Sequence, residues 1–197
     1  MVVKKRNVYT GFYAASNREV YQEKSEEEQQ KSIQQTISKM FTKPVKINSF
    51  SFFEFNSRAD TFVIQYSFVV KNGLTDISGM KIFELPWNDA EDVPAFLNSD
   101  KRNYNINFWE YDISDITTEI INLKLPAGKS LIEVPKEQDI KLGGLAYNLS
   151  FKQQNGNVTV KRQTNYTDHT VASAQYEAFK DFFNKMVEQD HKQIGFK

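Results

Sequence analysis

The chain has 197 residues, with 25 Lys+Arg against 25 Asp+Glu and so no formal net charge. That balance lacks the basic excess that phosphate binding needs, so neither a nucleic-acid partner nor a polybasic membrane-surface role is expected. Cys is absent, which removes disulfides, thiolate metal sites and a Cys nucleophile together, and no apolar run approaches the ~20 residues of a membrane span.

The length suffices to bury a real core. With 16 Phe and 9 Tyr the composition favours strands over helix bundles. Residues 1–6 carry no apolar signal-peptide segment, and the chain reads as a piece of a longer protein.

In chain order, Val8 to Ala14 reads as a first strand, with Val8, Phe12 and Ala14 on one face. Ser25 followed by Glu28 forms a capping box, and Ile33, Ile37, Met40 and Phe41 repeat on one helical face before Pro44. This predicts a one-sided amphipathic helix over 25–41. Val45 to Phe55 and Thr61 to Val70 read as a hairpin, with Phe62, Ile64, Tyr66, Phe68 and Val70 in strict alternation. Asn72-Gly73 is a turn, Ile77 to Leu85 a third strand, and Trp87 to Leu97 a loop.

Further on, Tyr104 to Tyr111 is an aromatic strand and Ile116 to Leu125 another. Ala146 to Gln153 and Val158 to Tyr166 form a hairpin closed through Asn155-Gly156. Tyr176, Phe179, Phe183, Met186 and Val187 fall on one face of a closing helix over about 173–190, and Ile194 to Phe196 is a short last strand. The expected fold is mainly β within the α+β class: an antiparallel, sandwich-like architecture with two amphipathic helices on sheet faces. The segments 1–97 and 98–197 are expected as two subdomains or one integrated domain, with Phe179 and Phe183 the deepest side chains of the closing helix.

Candidate chemistry is sparse. His169 lies in a turn and His191 at a helix end, too far apart in sequence for the local ligand pair of a zinc site. Asp89, Glu91 and Asp92, and likewise Asp112, Asp115 and Glu119, read as solvated turn residues. Three Asn-x-Ser/Thr sequons, at Asn148, Asn157 and Asn165, read as composition in a Lys- and Asn-rich chain. No catalytic residue and no cofactor is expected. The aromatic strand holds the best binding candidates, because alternation that turns Ile106 and Phe108 inward turns Trp109 and Tyr111 outward. With Tyr104, these rings suit stacking on a glycan or docking on a peptide or protein. Trp87, after Pro86, is a further aromatic that could contribute to the same patch, though the sequence does not place it.

The order of Arg102, Leu125-Pro126-Ala127-Gly128, Val134-Pro135, the Asn155-Gly156 hairpin and Tyr176-x-x-Phe179 resembles the C-terminal region of bacterial transglutaminase-like proteins. The resemblance is best over 100–197 and extends upstream through Gly11, Ala14 and Arg18. It implies a β-rich C-terminal domain of unknown function whose partner is the upstream core of the same polypeptide. That core carries a Cys-His-Asp site absent from this chain, so the resemblance implies a non-catalytic accessory module. It also implies export to the periplasm or cell surface. An independent carbohydrate- or peptide-binding module is the alternative expectation.

Overall fold

A computed structural model describes the chain except residues 1, 42–43, 57, 71–73, 89–92, 94–96, 108–114, 126–127, 155 and 168–169. The described residues are mostly β, in antiparallel sheets with three α-helices, the sandwich-like α+β fold expected from the sequence.

The large sheet has seven strands: β1 (Val2–Thr10), β2 (Val45–Phe53), β3 (Thr61–Val70), β7 (Asp115–Lys124), β9 (Gln138–Leu142), β10 (Leu145–Gln154) and β11 (Asn157–Tyr166). Their order is β2-β3-β1-β7-β11-β10-β9, so strands from 1–97 and 98–197 share one ladder. Period-two burial assigns the inward face: Val3, Lys5, Asn7 and Tyr9 of β1; Phe62 to Val70 by twos on β3; Val158 to Tyr166 by twos on β11.

A smaller sheet joins β4 (Thr75–Ile77), β5 (Met80–Glu84), β8 (Leu131–Glu133) and β13 (Gln193–Phe196) in the order β4-β5-β13-β8. Its Phe83, Ile194 and Phe196 are buried in the common core. Phe41 links the layers, edge-on to Phe68 of the large sheet at 5.7 Å and stacked on Phe83 of the small one at 6.2 Å. A two-residue pairing of β6 (Ile106–Asn107) with β12 (Thr170–Val171) completes the described strands.

Three helices cover the inward face: α1 (Gly11–Gln22), α2 (Glu26–Lys39) and α3 (Tyr176–Asp190). The capping box of α2 is formed, with Ser25 Oγ accepting from Glu28 N–H and the Glu28 carboxylate accepting from Ser25 N–H at 2.8 Å. Ile33 and Ile37 are buried beneath it. Gln34 ties α2 to the edge of the sheet, its amide donating to Val45 O at 2.8 Å and accepting from Ile47 N–H at 3.1 Å. On α3, Tyr176, Phe179, Phe182, Phe183 and Met186 are buried, with Phe179 at 0% exposure and Phe183 at 2%.

Three sequence expectations are corrected. The first strand is β1, and Phe12 and Ala14 lie beyond it in α1. The chain turns at Gly11, whose φ of +59° is the left-handed region that glycine alone enters freely. The expected strand over 77–85 is a hairpin, because Ser78 and Gly79 both have positive φ and form a two-residue turn between β4 and β5. Of the aromatic strand over 104–111, Ile106–Asn107 is strand, Tyr104 lies in the bend before it, and 108–111 falls outside the described residues. Strands β8 and β9 lie where no strand is expected from the sequence.

Candidate functional site

The middle of the inward face carries four buried charges. Cross-strand registry sets Arg162 of β11 beside Glu119 of β7, and Glu119 beside Asn7 of β1. Lys5 lies one inward position along β1, and Asp190 arrives from the last turn of α3. Their exposures are 1% for Lys5, 0% for Glu119, 3% for Arg162 and 1% for Asp190. Glu119 is thereby corrected from a solvated turn residue to the centre of the core.

The Lys5 ammonium donates to Glu119 Oε2 at 2.7 Å, to Asn88 Oδ1 at 2.8 Å and to the Pro86 carbonyl. An ammonium has three donors, and all three are placed. Arg162 donates to Glu119 Oε1 through one nitrogen and to Asp190 Oδ2 through another. Its guanidinium lies over the Trp87 ring, 4.8 Å from the centroid. Asp190 also accepts from Tyr147 Oη at 2.8 Å, and Glu119 from Asn88 N–H at 3.1 Å. Asn88 Oδ1 accepts from Tyr66 Oη at 2.5 Å, and Asn7 Nδ2 donates to Tyr9 Oη at 3.2 Å.

Two cations thus face two anions, and desolvation worth several kcal/mol per ion is offset only by complete pairing. Burial pushes the Glu119 carboxyl up, but Lys5 and Arg162, with hydrogen bonds from Lys5 and Asn88, outweigh it and hold the carboxyl below its ordinary 4.5. Burial, followed by the Glu119 charge and Tyr9, pushes the Tyr66 phenol well above its ordinary 10.0. It therefore stays protonated and donates to Asn88. The cluster fixes the register of β1, β7 and β11, and it clamps α3 and the 86–88 segment to the sheet. With every charge committed, it is a structural device.

Two cavities flank that segment. One, of about 580 Å³, lies between α1, α2 and the sheet, with Tyr9, Tyr66, Asn88, Arg162 and Thr164 among its lining. The other, of about 630 Å³, lies between α2 and the small sheet, lined by Phe41, Phe83, Trp87, Asn88 and Asp190 among others. Thr36 and Asn88 line both. Trp87 Nε1, Asn7 Oδ1 and Gln189 Oε1 are buried without a hydrogen-bond partner among the described residues.

Of the sequence-predicted binding residues, Tyr104 is 84% exposed, next to Asn105, whose Oδ1 accepts from Ser173 N–H at 3.1 Å before α3. Trp109 and Tyr111 lie outside the described residues, as do His169, Asp89, Glu91, Asp92 and Asp112. Trp87 does not join Tyr104 at the surface: it is 2% exposed, packed on Arg162. His191 is exposed beside Glu84, at 3.6 Å, and among the described residues no group of three metal-ligating side chains gathers.

The family model of a domain of unknown function with a solved structure, DUF3858, matches residues 80–196, and the chain belongs to that family. No curated protein matches the chain significantly, and no individual solved structure does.

Proposed function

For a member of this family, we propose a non-catalytic accessory module of a transglutaminase-like protein, docking on the upstream core of the same polypeptide or presenting substrate to it. Catalysis in this reading belongs to that core, and the parent protein is exported to the periplasm or cell surface. Support comes from the order of Arg102, Leu125 to Gly128, Val134-Pro135, the hairpin and Tyr176-x-x-Phe179, which lies within the matched 80–196. The observation that carries the docking is Tyr104, a large aromatic side chain held 84% exposed beside the start of α3. An aromatic ring in that setting, with Trp109 and Tyr111 close by in sequence, is the composition of an interface centre.

Titration calorimetry of the chain against the separately expressed upstream portion tests this. Micromolar or tighter association, weakened about tenfold or more by Tyr104→Ala, is the expected result, since aromatic hot-spot truncations cost about 2 kcal/mol or more. Saturable binding of a glycan through Tyr104, with no association to the upstream portion even when tethered, would instead make this an independent binding module.

A further inference from the structure

We infer that the outward face of the large sheet binds a linear polysaccharide that bears acidic groups. The helices and the small sheet pack on the inward face, and exposed Lys4, Asn122 and Lys161 mark the outward one as open to solvent. Its charge is one-sided. Lys4, Arg6, Lys46, Lys124, Lys152 and Lys161 all take outward positions, and none of the six has an ion-pair partner among the described residues. The described acidic groups near this face lie at its β9 edge: Asp139, paired with Lys141 at 2.9 Å, and Glu137 beside it. The compensating charge is on the other side, where α1, α2 and α3 carry eight acidic residues against five basic. A net charge of zero thus conceals two unlike faces.

Register sets the cations among hydroxyl and amide side chains. One row across the sheet runs Ser49, Ser67, Lys4, Asn122, Thr159 and Lys152. The next runs Ser51, Gln65, Arg6, Ile120, Lys161 and Ser150. With adjacent strands about 4.8 Å apart, cations recur every ~10–15 Å along these rows. Thr159 donates to Asn122 Oδ1 at 2.8 Å. The Asn122 amide hydrogens, Gln65 and Ser51 are exposed and have no partner among the described residues. Such groups donate and accept as sugar hydroxyls do, and Lys and Arg match acid groups on the polymer. Other polyanions fit less well. A protein interface is aromatic and apolar at its centre and depleted in Lys and Ser, whereas half-buried Ile120 is the one apolar residue of these two rows. Single-stranded nucleic acid stacks its bases on several rings. Among the described outward positions Phe53 alone is aromatic, out on the edge strand β2. A membrane-surface site adds inserted apolar side chains to its charges, and these rows offer none that is exposed.

The test is calorimetric titration of the 197-residue chain in about 50 mM salt with oligogalacturonate and with heparin. Dextran, a DNA duplex and phosphatidylserine vesicles are titrated alongside. Saturable binding of an acidic glycan is expected, and which of the two binds tells carboxylate from sulfate. Lys4→Gln combined with Lys161→Gln should weaken it about fivefold or more, with the thermal melt unchanged because both side chains are exposed. Raising salt to about 200 mM should weaken it as well. Lys31→Gln with Lys39→Gln on α2 removes the same charge from the helical side and should leave binding unchanged. No binding of either acidic glycan, equal binding of dextran, tighter binding of the duplex or the vesicles, or an equal loss in the α2 variant would overturn the inference. Failure here leaves docking on an upstream core untouched, since that reading is titrated with another partner through Tyr104.

Discussion

Two sides of one sheet face hold the molecule together by different means. On β2 and β3 the interior is made of rings: Phe62 stacks on Tyr9 at 6.4 Å and on Phe52 at 5.8 Å, and Tyr21 of α1 tilts onto Phe52 at 4.9 Å. On β7 and β11 the same face carries Glu119 and Arg162 among Ile121, Leu123, Val158 and Val160. Apolar contacts are non-directional and graded, so the first side gains stability roughly with buried area. The charged side contributes little net stability when whole and costs much when broken, but it admits one register.

The sharpest way to break that comparison is Glu119→Ala, which leaves Lys5 and Arg162 buried beside a single anion. A loss of about 5 kcal/mol in urea denaturation is expected, a large share of a domain's stability. A loss below ~2 kcal/mol would mean that water reaches the cluster and that both sides behave alike. Next in size is Phe179→Ala on α3, expected to cost about 4 kcal/mol through lost burial and the cavity left behind. The same substitution at Phe183, 5.0 Å away and edge-on to it, should cost a similar amount but not add in full, because the rings share contacts.

Acid distinguishes the two sides without mutation. The folded state holds the Glu119 carboxyl below 4.5, so its contribution is complete above the ordinary value and is lost as pH falls through the folded one. At the alkaline end Tyr66 acts in the opposite sense. Its raised phenol contributes fully below pH 10.0, and that contribution is lost as pH rises toward the folded value. Glu119→Gln should flatten the acid limb of the stability–pH curve and shift the alkaline limb down only in part, since burial comes before the Glu119 charge among the causes that raise Tyr66. An unchanged acid limb would place the titrating group elsewhere.

The aromatic side was legible because β3 carries an apolar residue at every second position from Phe62 to Val70 and α2 begins with a capping box; period and cap are local. The charged side was legible only in phase. Glu119 lies two and four residues from Ile121 and Leu123, Arg162 the same distances from Val160 and Val158, and Asp190 four and seven from Met186 and Phe183. Each is polar at an inward position, and what pairs them is three strands and a helix end brought together by tertiary structure. Helix α1 was missed for another reason: Thr10 makes no side-chain cap, no acidic residue opens the first turn, and only Ala14 and Tyr21 are buried. Of the candidate sites, Tyr104 was named from the sequence, but strand alternation with Ile106 would turn it inward; it is exposed because it lies in the bend before β6. The two cavities were not legible, since they arise between layers that no local pattern positions.

The smallest expected effect sharpens the contrast most cleanly, because α3 takes part in both ion pairs. Asp181 and Lys185 pair at 2.7 Å one turn apart, with side chains 62% and 55% exposed, whereas Asp190 meets Arg162 in the core. Water and salt screen the first pair, and holding two mobile side chains together costs entropy. Lys185→Ala should therefore change stability by no more than about 0.5 kcal/mol, and raising salt to 1 M should erase even that difference. The Glu119→Ala penalty should survive the same salt almost unchanged, since buried pairs are little screened. A Lys185→Ala cost above ~1 kcal/mol would show that the exposed charges of α3 act as one network with Asp190, and burial would then no longer separate the two kinds of pair.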